Sequence, residues 1–135
     1  MKKVMLDTNI LVSAILDGKS NLYQAYKKAV EPPYQSLICD QNLEELRRVF
    51  HRKFPEKISA LENFIESSQS VVEVVSVPPS TRSGEELVRD PDDRPILRAA
   101  IEAGAEILIT GDKDFLESGL TTPRIMTASD FLEMP

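Results

Sequence analysis

Two segments of the sequence end a short apolar run on an aspartate: "VMLDTNIL", residues 4 to 11, on Asp7, and "LITGDKDF", residues 108 to 115, on Asp112. An Asp in that position either caps the next helix or holds a charge at the carboxyl end of a buried sheet. A third acidic group stands in "RDPDDRPIL", residues 89 to 97, where a helix should begin. A fourth is the pair Glu44 and Glu45 in "DQNLEELRRVF", residues 40 to 50. Taken singly, each has a structural explanation: Asp7 and Asp112 as caps, Asp92 or Asp93 at the positive end of a helix dipole, Glu44 or Glu45 paired with Arg48 or Arg52. Four acidic positions near one sheet edge, however, repel one another unless protonated or bridged by a cation. Oxygen ligands with no histidine or cysteine nearby favour a hard ion, Mg²⁺ or Mn²⁺, over zinc. Such an ion acidifies an attacking water and offsets the extra negative charge of a phosphodiester in its transition state, so metal-assisted phosphodiester hydrolysis is the leading reaction.

For the four groups to meet, the chain must fold as a parallel sheet with all its carboxyl ends on one edge. Apolar, extended-looking stretches at residues 4–6, 35–39, 71–75, 107–109 and 124–126 predict the strands. Between them lie helical segments. Residues 21–30 are good helix formers stopped by Glu31, Pro32 and Pro33. Asp40 is placed as the N-cap of a helix to about Arg52, with Leu43, Leu46, Val49 and Phe50 on one apolar face. Pro55 opens another helix to about Ser68, and a further one runs from Asp92 and Asp93 to Ala103, where Gly104 supplies a stop. Thr127 followed by Asp130 resembles a capping box for a short closing helix that buries Phe131 and Leu132. Strands apolar on both faces and alternating with helices give an α/β class with a parallel sheet covered on both sides. Residues 76–89 read as an exposed loop.

At 135 residues and 41% hydrophobic content the chain has material for one domain, residues 1–135. Its net charge of −6, from 22 acidic and 16 basic residues, argues against coating nucleic acid by bulk electrostatics but suits a site that binds phosphates through cations. No apolar run reaches the roughly 20 residues of a membrane span, and the N-terminus lacks a secretory signal, so a cytoplasmic protein with no membrane partner is expected. The single cysteine, Cys39, reads as a small core residue. Arg47, Arg48, His51, Arg52 and Lys53 concentrate positive charge on the helix that carries Glu45, where a phosphate backbone could lie, or where these side chains simply pair with Glu44 and Glu56. His51, with no partner evident, reads as a surface residue.

"VMLDTNILVSAIL", "NLEELRRVF", "RDPDD" and "AGAEILITGDKDF" together resemble the motifs of the PIN-domain family, in its branch of toxin components similar to VapC-like ribonucleases. The resemblance runs in order from residue 3 to about residue 132. It implies a three-layer α/β/α fold with a mostly parallel sheet of about five strands, and metal-dependent endonucleolytic cleavage of RNA by an acidic quartet. Carried over by position, the quartet falls on Asp7, Glu45, Asp93 and Asp112, as catalytic and metal-binding residues together. Asp114 matches an additional acidic position that reaches the metal through water, and Thr110 a hydroxyl that orients such a water. The choice of Asp93 over Asp90 or Asp92 rests on counting back from Gly104, and Pro95 must occupy the first turn of its helix for Asp93 to serve; set deeper, it would shift the register and favour Asp92. The resemblance also implies a homodimer, an antitoxin protein partner, RNA as substrate and Mg²⁺ or Mn²⁺ as cofactor.

Rival classes fit less well. A haloacid-dehalogenase-type domain wants a second Asp two residues after the first, where this chain has Asn9. A receiver domain wants an acidic pair before its strand-end Asp and a lysine at a late strand end, and Lys113 sits between two aspartates. The non-enzyme alternative is a PIN-like binding module for RNA or protein with idle acids; a missing quartet member would mark it, and all four are present.

Overall fold

Strand β1 (Lys2–Leu6) lies at the centre of a five-stranded sheet, between β2 (Tyr34–Cys39) and β4 (Ile107–Ile109), with β3 (Val72–Val75) and β5 (Arg124–Met126) at the edges. The computed structural model describes residues 1–135. All four strand pairings are parallel. The strand order reverses direction about β1: the chain builds outward through β2 and β3, then returns to the other side for β4 and β5. That reversal opens a crevice at the carboxyl ends of β1 and β4, where ligands of open α/β sheets collect.

The sheet is buried on both faces because Val4–Leu6, Leu37–Cys39 and Ile107–Ile109 are apolar at every position. Val4 and Leu6 join a cluster with helices α1 (Thr8–Leu16), α2 (Asn21–Ala29), α3 (Asp40–Lys53), α4 (Ile58–Ser68) and α7 (Ala128–Glu133). Met5, Leu37, Cys39 and Leu108 face the other way, against α5 (Arg94–Glu102) and α6 (Lys113–Leu116). Alternation by one residue thus assigns each strand side chain to one of the two outer layers. The result is a three-layer α/β/α fold with an all-parallel sheet.

Local sequence fixes the helix boundaries that bear on the site. Pro95 stands second in α5, where no intrahelical bond is lost. The other end of α5 closes at Gly104 (φ +78°), with the Gly104 amide donating to Ile101 and the Ala105 amide to Ala100, a Schellman arrangement. At the start of α7, the Thr127 hydroxyl accepts the Asp130 amide at 3.1 Å.

Two expectations need correction. Helix α3 begins at Asp40 itself, and the cap position belongs to Cys39, because the Asn42 carbonyl oxygen accepts both the Cys39 amide (3.4 Å) and its thiol (3.1 Å). Residues 76–89 are more than an exposed loop: Val88 is fully buried, and Glu85 turns inward to meet Arg98 of α5 at 2.9 and 3.2 Å. The Arg98 guanidinium also donates to the Pro78 carbonyl, so one side chain ties both ends of the segment to α5.

Candidate active site

Asp7 directly follows β1 and is 5% exposed. Its Oδ1 accepts the Thr8 amide at 2.8 Å and its Oδ2 the Thr110 hydroxyl at 2.7 Å. The capping role foreseen for Asp7 is therefore real, but a carboxylate has about four lone-pair sites and each oxygen keeps one for a ligand. Burial raises the Asp7 pKa; the hydrogen bonds from Thr110 and Thr8 oppose that, and the neighbouring charges of Glu45 and Asp112 add to it.

Thr110 is fully buried at the end of β4, and besides donating to Asp7 it accepts the Asp112 amide at 3.0 Å. It thus links the two aspartates, and its second lone pair stays open to a water of the kind the resemblance implies. Asp112 caps α6 by accepting the Asp114 amide at 2.9 Å.

Asp93 ends a 3-10 turn, Pro91–Asp93, immediately before α5. It is partly buried, whereas Asp92 is exposed and Asp90 accepts the Asp92 amide. Oδ2 of Asp93 is buried without any hydrogen-bond partner. Burial, contact with Asp112 and the charges of Asp7 and Asp90 push its pKa to about 8. A carboxyl pushed up by burial and then by neighbouring acids marks a place where negative charge exceeds its compensation.

Glu45 completes the group from the second turn of α3, close enough for its charge to act on Asp7. No ion pair reaches Asp7, Glu45, Asp93 or Asp112. Arg47 pairs with Glu62 and not with Glu44 or Glu56. Asp114 is different: its carboxylate meets Arg89 at 3.0 Å, and Arg89 also meets Glu117. Carboxylate oxygens of Asp90, Asp93 and Asp114 lie within 4.8 Å of one another, so two acidic groupings overlap at Asp93.

The donors suit a hard divalent cation in kind, carboxylates with one orphaned buried oxygen and no basic side chain on Asp7, Glu45, Asp93 or Asp112, and the three acids whose oxygens come within 4.8 Å of one another are Asp90, Asp93 and Asp114. The nitrogen and sulfur side chains are engaged by other partners. His51 is exposed and bonded through Nδ1 to the Arg47 carbonyl, and the Cys39 thiol is buried, bonded to Asn42 and pushed up to about 11 by desolvation.

Sequence reasoning missed Asn42. It is fully buried, and its Nδ2 donates to the Thr8 hydroxyl at 2.7 Å, joining the first turn of α3 to the turn that presents Asp7. The signal was its spacing: Asn42, Leu46 and Phe50 form one buried stripe at i, i+4 and i+8.

The PIN domain family model matches residues 3–114. Solved structures share the architecture. VapBC2 from Rickettsia felis, bound to a DNA fragment from their promoter, aligns with TM-score 0.68 and 21% identity over 93% of this chain and 98% of that one. DNA-bound VapBC from Salmonella typhimurium aligns with TM-score 0.67 and 20% identity over 95% and 99%. VapC20 of Mycobacterium tuberculosis, described as a Sarcin-Ricin loop cleaving toxin, aligns with TM-score 0.58 and 19% identity over 87% and 95%. At these identities the likeness is one of fold. Comparison with curated protein sequences gives no match, and no helix is long and apolar enough to cross a membrane.

Proposed function

The chain belongs to the PIN-domain family, and from that premise we propose that it is a divalent-metal-dependent endoribonuclease, the toxin of a toxin–antitoxin pair. In this reading residues 1–135 form a single PIN domain that works in the cytoplasm, pairs as a homodimer and is covered by an antitoxin protein. The observation that carries it is Asp93, whose buried Oδ2 has no hydrogen-bond partner and which, like Asp7, Glu45 and Asp112, meets no basic side chain.

Asp7, Glu45, Asp93 and Asp112 would hold the ion through carboxylate oxygens. When bound, Mg²⁺ or Mn²⁺ supplies Lewis acidity that activates water and offsets charge on the scissile phosphate. Thr110 and Thr8 fix the Asp7 carboxylate in one orientation. Asn42 ties the Glu45-bearing helix to the same turn. Asp93 would hold the ion only as a carboxylate, so ion affinity should increase with pH toward about 8. Asp114 and Arg89 form the rim.

Purified protein is expected to cut mixed RNA in Mn²⁺ and to lose cleavage in EDTA and in Asp7→Asn. Cutting without metal, or an Asp7→Asn variant as active as wild type, rejects the mechanism.

A further inference from the structure

The basic cluster of α3 looks uniform in sequence, but the folded helix divides it. At about 100° per residue, Glu45, Arg48, Val49 and Arg52 fall within an arc of about 100°, while Arg47 and His51 lie on another side. The structure bears out that division. Arg47 is engaged with Glu62 of α4, and the His51 ring with the Arg47 carbonyl. Glu45, Arg48, Val49 and Arg52 instead line one open cleft of their own. Arg48 and Arg52 are exposed and make no ion pair or side-chain hydrogen bond, although the chain carries an excess of acid.

Resting on the endoribonuclease reading, we infer that Arg48 and Arg52 form the track along which the RNA backbone leaves the acidic site, each taking one phosphate on the same side of the scissile bond. Their positions suit this. One helical turn separates them by about 6 Å along the axis, comparable with the spacing of successive phosphates on an extended strand, and Arg48 follows Glu45 by one turn. Two guanidiniums without an ion pair, in the cleft that Glu45 also lines, confront an anionic polymer with local positive charge on an otherwise acidic protein. Apolar Val49 at the floor and the absence of a stacking aromatic in the cleft make the contact one of backbone and not of base.

The test is binding of a short mixed-sequence single-stranded RNA, followed by fluorescence anisotropy in Ca²⁺ over a series of KCl concentrations, with wild type, Arg48→Ala/Arg52→Ala and Arg47→Ala. The double variant should bind at least tenfold more weakly, and its log–log salt slope should fall by about 1.4, at about 0.7 per phosphate contact on a single strand. Arg47→Ala should stay near wild type. Mn²⁺ affinity, read by calorimetry, should be the same in all three. Unchanged RNA affinity in the double variant, an equal loss in Arg47→Ala, or no RNA binding by wild type overturns the track. The Mn²⁺ cleavage assay judges the nuclease reading separately, since wild-type cutting with an unaffected double variant removes the track and leaves the activity standing.

Discussion

Asp7 and Thr110, 103 positions apart, are joined by a 2.7 Å hydrogen bond in which the threonine hydroxyl donates to Oδ2. Sheet register produces it. Leu6 pairs with Ile109, so the next residue of each strand leaves the sheet at the same level. Removing the donor with Thr110→Val strands a buried carboxylate and should cost roughly 1.5–3 kcal/mol at neutral pH. Mn²⁺ affinity should fall about tenfold, as for other residues that orient a metal ligand. Thr110→Ser should retain both. Urea unfolding and calorimetry decide it, and equal Mn²⁺ affinity in wild type and Thr110→Val would show that the hydroxyl does not orient the ligand.

The raised Asp93 pKa makes the ion-free protein sensitive to alkali. From about pH 4 to about pH 8 the folded state keeps a proton that the unfolded chain, with a value near 3.8, has released. More protons on the folded side mean that stability falls as pH rises through this window and is fully present only below it. Asp7, also raised, acts in the same direction. The Asp93 share should be on the order of 1–2 kcal/mol once screening by solvent is allowed for. Asp93→Asn should flatten the slope between about pH 4 and about pH 8, and saturating Mn²⁺ should restore wild-type stability at the alkaline end by mass action. Urea midpoints that rise with pH in EDTA would contradict this.

The Glu85–Arg98 pair holds residues 76–89 against α5, next to the turn that carries Asp93. Arg98→Met should leave Glu85 inward without its partner and destabilise the protein by about 2 kcal/mol or more. Proteolytic nicking should begin within residues 76–89. A variant as resistant as wild type would mean that Val88 alone anchors the segment.

The sheet was legible because residues 4–6 and 107–109 are apolar at every position, a pattern that only a strand buried on both faces requires. Asp7 and Asp112 could be placed from the same pattern, since parallel strands carry their ends to one edge. Glu85 was not legible: it sits among prolines, serines and charged residues, and its inward turn depends on Arg98, thirteen positions later. Asp40 was misassigned as a cap because Asp is a frequent cap type, whereas the Asn42 side chain competes for the Cys39 amide and moves the boundary by one residue. The division of the α3 arginines was available in the helical spacing, but which side faced a partner needed the position of Glu62.

Because β1 is central, its neighbours come from distant parts of the chain. Synthesis adds roughly 5–20 residues per second from the N-terminus, so Asp7 leaves the ribosome several seconds before Thr110 and Asp112 exist. A nascent chain therefore carries its acids as unconnected charges, unable to gather a cation among them. The proposed site can therefore be assembled only after β4 has taken its place beside β1.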